Sequence, residues 1–453
     1  MSNQKKYATK IKALTAISPA AFKQEKSIGL QKNTSNLFRN RRKANKLIDL
    51  RSFNHVLEVN PQEGYADIEG MTTYEAIVDE CLKHHVMPTV VPELKTITIG
   101  GALSGIGIES SSFRYGLVHE TILEFDLLLA DGTVATCRPD NEHKDLFFAL
   151  PNSYGTLGYV LRVKVKTIPV KPYVKLHYQH FNDPKLCLEA LANCYARSQK
   201  EENPQFLESV SFQHDQLSII SAEFVDQAPY VSNYKFMKIF YRAIQKKRED
   251  YLTVNDYIWR WDTDWFWCSK KLGLQNKLLR LLAGKWLLNS SSYWKIMNFY
   301  RNNSLLRYMQ KVLPPQETVV QDILIPIEKS LEFYNFLHNE IKVKPLWLCP
   351  THAYDSKVKY DLFNLPTDTL FINFGIWGVI KTKQSDGFYN KKIEKEVSRL
   401  NGYKSLYSTV HYSEQEFWEI YNKPHYKALK EKYDPSNIFR DLYHKVSDRI
   451  TLH

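Results

Sequence analysis

A chain of 453 residues has room for two or three domains with large cores. Its 43% hydrophobic and 24% charged content is that of a globular protein, and a formal net charge of +12 predicts attraction to a phosphorylated cofactor, an anionic membrane surface or nucleic acid. No zinc-finger, helix-turn-helix or RNA-recognition signature accompanies that charge, which argues against nucleic acid, and the six Cys show neither CxxC pairs nor metal spacing, which predicts reduced thiols in a cytoplasmic protein and no metal site.

Residues 1–26 are polar and lack the apolar run of a signal peptide, so they read as an N-terminal tail with a short helix. No run of about 18 apolar residues occurs, so no helix spanning a bilayer is expected. SIGLQKNTSNLFRNRR then gives a short strand and a polar loop whose Thr34, Ser35 and Asn36 offer hydrogen-bond donors; Arg39, Arg41, Arg42 and Lys43 behind it form either a solvated basic turn or a phosphate clamp. HVLEVN and GYADIEG form a strand pair turning between Pro61 and Gly64. Thr72, with Glu75 three residues on, reads as the N-cap of an amphipathic helix ending at His84 and His85, which are structural.

Between Val90 and Gly116 four glycines (Gly100, Gly101, Gly105 and Gly107) fall within eight residues, followed by Ser110, Ser111, Ser112 and then Tyr115-Gly116. Such a stretch either cradles an extended phosphate-bearing cofactor, glycines letting backbone N–H groups approach and hydroxyls donating, or is a tight turn between buried strands. It is neither GxxxxGK[ST] nor the GxGxxG of a dinucleotide βαβ unit. TILEFDLLLADGTVATC is a hairpin turning at Asp131-Gly132, and Ser153 to Gly158 precede an alternating strand.

From Tyr173 the character changes: VKLHYQHF, QFLESVSFQ and QLSIISAEF read as strands of a second sheet. An insertion over 234–303 mixes Trp259, Trp261, Trp265, Trp267, Trp286 and Trp294 with cations; it is either an element lying on an anionic membrane or an aromatic core or interface. Strands follow in VVQDILIPI, KPLWLCP and TLFINFGIWG, and Ser413 N-caps a late helix.

The run PELKTITIGG followed by Tyr115-Gly116 resembles the second FAD-contacting segment of the PCMH-type (vanillyl-alcohol-oxidase superfamily) flavoproteins. PEL…TIGGALSGIGIESSS…YG is similar to the delta-24-sterol reductases, and DYIWRWDTDWFW to bacterial FAD reductases that saturate methylene-branched fatty acyl chains. The intact GTLG turn and the terminal KEKYDPSNIFRDLYHKV fit the same order, although the glycines usual in the first loop are missing at Asn33–Asn36.

The resemblance implies an α+β protein: a tail (1–26), a PCMH-type FAD domain (27–170), a cap (171–425) and a returning C-terminal segment (426–453). It implies FAD held by Thr34, Ser35, Asn36, Thr98, Ile99, Gly100, Gly101, Gly105, Gly107, Ile108, Glu109, Ser110, Ser111, Ser112, Tyr115, Gly116, Ser153, Gly155, Thr156, Leu157 and Gly158. No His stands in the first loop or beside Tyr115-Gly116, so the FAD is expected to be non-covalent. The animal and plant sterol reductases carry an N-terminal membrane anchor that this sequence does not show, so any membrane contact is expected to be peripheral. The implied reaction is NADPH-linked reduction of a carbon–carbon double bond in a lipid, sterol or fatty acyl, with Tyr407, His411 or Cys349 as proton donor and Trp347, Asn373 and Trp377 lining the substrate pocket. The competing readings are an alcohol or sugar oxidase of the same superfamily and a non-catalytic lipid-binding flavoprotein.

Overall fold

The computed structural model describes residues 2–39, 44–201, 203–302 and 315–447. Arg41, Arg42 and Lys43 of the basic turn lie outside the described residues.

Helix α1 (Asn3–Lys23) is followed by a parallel pair, β1 (Ile28–Gln31) and β2 (Lys46–Asp49). Then come β3 (Val56–Asn60), β4 (Tyr65–Glu69), α2 (Tyr74–Lys83), β5 (Val86–Pro88), α3 (Ile99–Ser104), α4 (Ser112–Tyr115), β6 (Ile122–Leu128), β7 (Val134–Cys137), α5 (Lys144–Ala149) and β8 (Tyr159–Pro169). These strands pair in the order β3-β4-β8-β6-β7, with β5 on the end of β8.

The second half opens with β9 (Tyr173–Phe181), α6 (Pro184–Ser198), β10 (Phe206–Gln213) and β11 (Gln216–Val225). The insertion supplies α7 (Phe240–Ile244), β12 (Glu249–Thr253), α8 (Val254–Ile258), α9 (Lys277–Leu287) and α10 (Ser290–Asn302). The chain closes with β13 (Gln316–Pro326), α11 (Ile327–Phe336), β14 (Leu346–Thr351), β15 (Phe371–Lys381), α12 (Phe388–Arg399), β16 (Tyr403–Lys404), α13 (Glu414–Ile420), α14 (Lys423–Tyr433) and α15 (Leu442–Ser447). Its strands form an eight-stranded antiparallel sheet, β12-β9-β11-β10-β14-β15-β13-β16. The fold is α+β.

The N-terminus departs from the sequence reading: residues 3–23 are one packed helix, not a tail. Tyr7, Leu14 and Phe22 recur at helical spacing and enter a core with Phe53, Tyr159 and Phe439. The Tyr7 hydroxyl donates to Asp126 (2.6 Å), and Lys10 pairs with the buried Glu69 (2.6 Å). The cap of α2 also moves by one residue: Thr73 accepts from Ala76 N–H, while Thr72 turns back to donate to the Glu69 carbonyl.

Pleating gives the large sheet two faces. Leu348, Phe374 and Ile323 point into a core with Phe333 of α11 and Ile393 of α12. On the opposite face Val210, Trp347, Gly375 and Asp322 stand side by side across β10, β14, β15 and β13. That face looks toward the N-terminal half. After α14 the chain returns to that half: the Ile438 carbonyl accepts from Ile28 N–H (2.9 Å), and the Phe439 and Tyr159 rings lie 4.9 Å apart.

Candidate active site

Between the large sheet and the N-terminal half lies a cavity of about 960 Å³, near the top of the roughly 300–1,000 Å³ typical of ligand sites. One part of its wall is polar and basic. Thr34, Ser35 and Asn36 line it, Asn36 being held by the Thr96 hydroxyl (3.0 Å). Arg39 donates to the Leu406 and Lys445 carbonyls, and Phe38 N–H to the Tyr407 carbonyl (2.9 Å), so the loop is stitched to the second half of the chain. Arg440 and Lys445 add cations to the lining.

The glycine cluster stands opposite, and part of it is helix rather than loop. Thr98 caps α3 by accepting from Gly101 N–H (3.2 Å), and Gly100, Gly101, Gly105 and Gly107 all reach the cavity wall. Ile108 and Glu109 continue that wall, and Gly155 and Gly158 line it from the turn before β8. Gly158 has φ +154°, and a Cβ there would come within 2.6 Å of Leu127, so a side chain does not fit.

The remaining wall is aromatic. Trp347 and Trp377 come from the large sheet, Trp265 and Phe266 from the insertion. Gly375 lies between the two sheet indoles; a Cβ there would stand 2.6 Å from Trp377 and 3.0 Å from Trp347. Trp265 (φ +41°) and Phe266 (φ +59°) are both in the left-handed region that such residues seldom adopt, which turns their rings inward.

Two polar groups break that apolar wall. Asp322 lines the cavity and accepts from Asn373 Nδ2 (3.0 Å); burial pushes its carboxyl up to about 6. The Tyr407 hydroxyl is buried beside Asp322, and burial together with the neighbouring Asp322 carboxylate holds its pKa well above the usual value. Beneath the wall, Arg260 meets three carboxylates: Glu93 (2.8 Å), Glu109 (2.5 Å) and Glu208 (2.9 Å). Glu208 also accepts from the Trp261 and Trp347 indoles, which fixes Trp347. Burial raises the Glu93 and Glu109 carboxyls, both of which line the cavity.

Other residues singled out in the sequence lie behind the wall. Ile99 and Leu157 are core. Ser110 contacts Tyr257 and Arg260, Ser111 donates to the Thr89 carbonyl, and Ser112 accepts from Glu109 N–H. Gly116 packs on Glu120, next to Tyr115; Ser153 and Thr156 hydrogen-bond within their own turn. Of the proton-donor candidates, Tyr407 alone lines the cavity. Cys349 is buried and donates to the Glu109 carbonyl (3.2 Å), and burial raises its thiol far above the usual range. His411 lies against Gly387 with its backbone N–H on Glu394, and Asn373 reaches the site through Asp322.

Asp322 was missed in the sequence, although one carboxylate inside the apolar run VVQDILIPI is a visible signal. Arg260 and Gly375 were also missed, since nothing local marks either. The insertion divides. Trp259, Trp261, Trp265 and Trp267 are buried core, Trp294 is half-buried, and Trp286 is exposed.

The wall suits FAD: donors and cations for a diphosphate, a backbone cradle, and flat aromatic surface beside it. Residues 7–138 match the sequence family described as an FAD binding domain. Human delta(24)-sterol reductase is 29% identical over 420 residues, spanning 86% of this chain and 76% of the human protein. The mouse delta(24)-sterol reductase is 30% identical over 386 residues, covering 79% of this chain and 69% of its own length. The chain belongs to the delta(24)-sterol reductase family. The Arabidopsis thaliana member is 26% identical over 437 residues, 88% of this chain and 76% of that protein. With the FAD binding domain, membership makes the chain an FAD-dependent oxidoreductase. Among the described residues no helix is long and apolar enough to cross a membrane, and no cluster of His, Cys, Asp and Glu could hold a metal ion.

Proposed function

We propose that this chain reduces an isolated carbon–carbon double bond in a lipid, with NADPH as the electron donor and FAD bound without a covalent link. The observation that carries the proposal is the pairing of Tyr407 with Asp322 in a wall otherwise built from Trp347, Trp377, Trp265 and Phe266. A sterol side chain or a methylene-branched acyl chain offers hydrocarbon around its reacting bond, and each methylene buried contributes roughly 0.8 kcal/mol without needing a polar handle. Bound FAD would supply the hydride chemistry that the reduction of one alkene carbon needs.

The protein's part is to hold and protonate. Thr34–Asn36, Thr98, Gly100, Gly101, Gly105 and Gly107 grip the cofactor's polar portion, with 27–170 as the FAD domain, 171–425 as the cap and 426–453 as the segment that returns. Tyr407 gives its proton to the second alkene carbon, and Asp322 replaces it. A tyrosine raised by burial is a weak acid, so a carboxyl that burial raises to about 6 is a fitting source behind it.

The test is anaerobic titration of the purified flavoprotein with NADPH, followed by addition of either a Δ24-unsaturated sterol or a methylene-branched phospholipid. Return of flavin colour with formation of the saturated lipid supports the reading, and whichever lipid acts identifies the substrate form. Return of colour only on admitting air points to an oxidase instead.

A further inference from the structure

Helix α9 is inside out. In most surface helices the leucines face the core and the cations face water. Here Leu278 (65%), Leu282 (75%) and Trp286 (76%) are exposed, whereas the residue of this helix that is buried is Arg280, at 1%. Arg280 forks onto Asp264, with Nη1 to Oδ1 at 2.6 Å and Nη2 to Oδ2 at 2.9 Å, and also donates to the Phe236 and Leu274 carbonyls. The bidentate pair therefore fixes the helix with its apolar stripe turned outward.

Leu278 and Leu282 are spaced i, i+4. Gly284, at φ +64°, ends the regular helix, and Trp286 follows the break. Lys277 and Lys285 are exposed at its two ends, with Lys270 in the preceding turn. From Trp265 to Gln316 the sequence holds nine Lys or Arg and no Asp or Glu. A stripe of leucine and tryptophan framed by cations, with no carboxylate to repel an anionic surface, has the composition of an element that lies in the headgroup layer.

We infer that α9 docks this protein on a bilayer carrying anionic lipid, Leu278, Leu282 and Trp286 entering the acyl boundary while Lys277 and Lys285 meet the headgroups. Its anchor, Asp264, directly precedes Trp265 and Phe266, which line the cavity, so the docked helix is tied to the cavity wall through one rigid pair. The inference goes beyond the proposed reaction and is independent of which double bond is reduced.

The test is co-sedimentation of the full-length flavoprotein with vesicles of phosphatidylcholine alone or with about one-third phosphatidylglycerol, at low and high salt, together with sedimentation velocity without vesicles. The expected result is binding to the anionic vesicles that weakens with salt, by a factor of about five for each cation removed in Lys277→Gln and Lys285→Gln. Leu278→Glu with Leu282→Glu should abolish it while flavin content stays at wild-type level. Wild type that ignores anionic vesicles at low salt overturns the inference, as does binding that survives the double Glu variant. If the wild type is a dimer that the double variant splits, and vesicles are not bound, the stripe is the seat of a second copy. Should the double variant lose flavin, Trp286→Gln with Leu282→Ser replaces it under the same criteria.

Discussion

Phe266 stacks on Trp377 with ring centroids 4.1 Å apart and planes 26° from parallel. One ring comes from the insertion and the other from β15 of the large sheet, so the aromatic wall of the cavity exists only where these two parts meet. Trp347 joins them from β14, its indole held by Glu208 (2.7 Å). The wall is thus fixed on both sides: by stacking in front and by a buried carboxylate behind.

Gly375 is the position where that wall has no slack. An added methyl would meet Trp377 at 2.6 Å, so Trp377 must rotate away from Phe266. Gly375→Ala is expected to keep its flavin and lose lipid reduction by on the order of tenfold or more, because a misplacement of about 1 Å at a reacting centre is costly. Flavin content and single-turnover rates measured side by side check this; an unchanged rate means that the indoles do not shape the substrate path.

Among the described residues Arg260 is the sole guanidinium against Glu93, Glu109 and Glu208. Removing one partner from a buried ion cluster costs about 3–5 kcal/mol, since the carboxylates are then left uncompensated. Arg260→Met should lower the melting midpoint by several degrees, and adding Glu93→Gln and Glu109→Gln should restore part of the loss. A thermal melt of the three proteins decides it; no recovery in the triple variant would contradict the charge argument.

Gly101 reaches the cavity from the first turn of α3, where a larger side chain would crowd Thr98 and fill the cradle. Gly101→Val is expected to be folded by circular dichroism and colourless. Stoichiometric flavin in that variant would move the phosphate-binding segment elsewhere.

The sequence disclosed the order of elements well, because strands with clear alternation and helices with caps announce themselves locally. Thr34–Asn36 and the glycine quartet stood out for the same reason, since their donors and bare backbone lie in adjacent residues, and both line the cavity. The packed helix at residues 3–23 was not, since Tyr7 and Phe22 become apolar anchors only when Phe53 and Phe439 are brought beside them. His411 stood near Tyr407 in the sequence yet faces Gly387, because a turn in irregular backbone carries no periodicity from which to read direction. Asp322 and Gly375 take their meaning from register, which pairs residues 53 apart in sequence and is invisible until the strands are aligned.

The pH dependence follows from Asp322. Burial raises its carboxyl to about 6, above the roughly 3.9 of an exposed aspartate, so it stays protonated in the folded protein across a window where the unfolded chain is ionised. Its contribution to stability is therefore complete below about pH 4 and is lost as pH rises through about 6. As a proton source it weakens in the same direction: lipid-driven flavin reoxidation should fall about tenfold per pH unit above that point. Asp322→Asn should be slow and flat with pH while binding FAD normally; a wild-type profile in that variant would assign the ionisation to another group.

The proton route is tested most directly by reducing the flavin with NADPH under anaerobic conditions in D₂O and adding the unsaturated lipid to wild type and to Tyr407→Phe. The wild type is predicted to regain flavin colour and to yield saturated lipid carrying solvent deuterium on the former alkene carbon that Tyr407 protonates. Tyr407→Phe is predicted to be reduced by NADPH as readily, yet to stay bleached in the presence of the lipid. Full reoxidation of Tyr407→Phe by the lipid, with deuterium delivered as in wild type, would contradict the account.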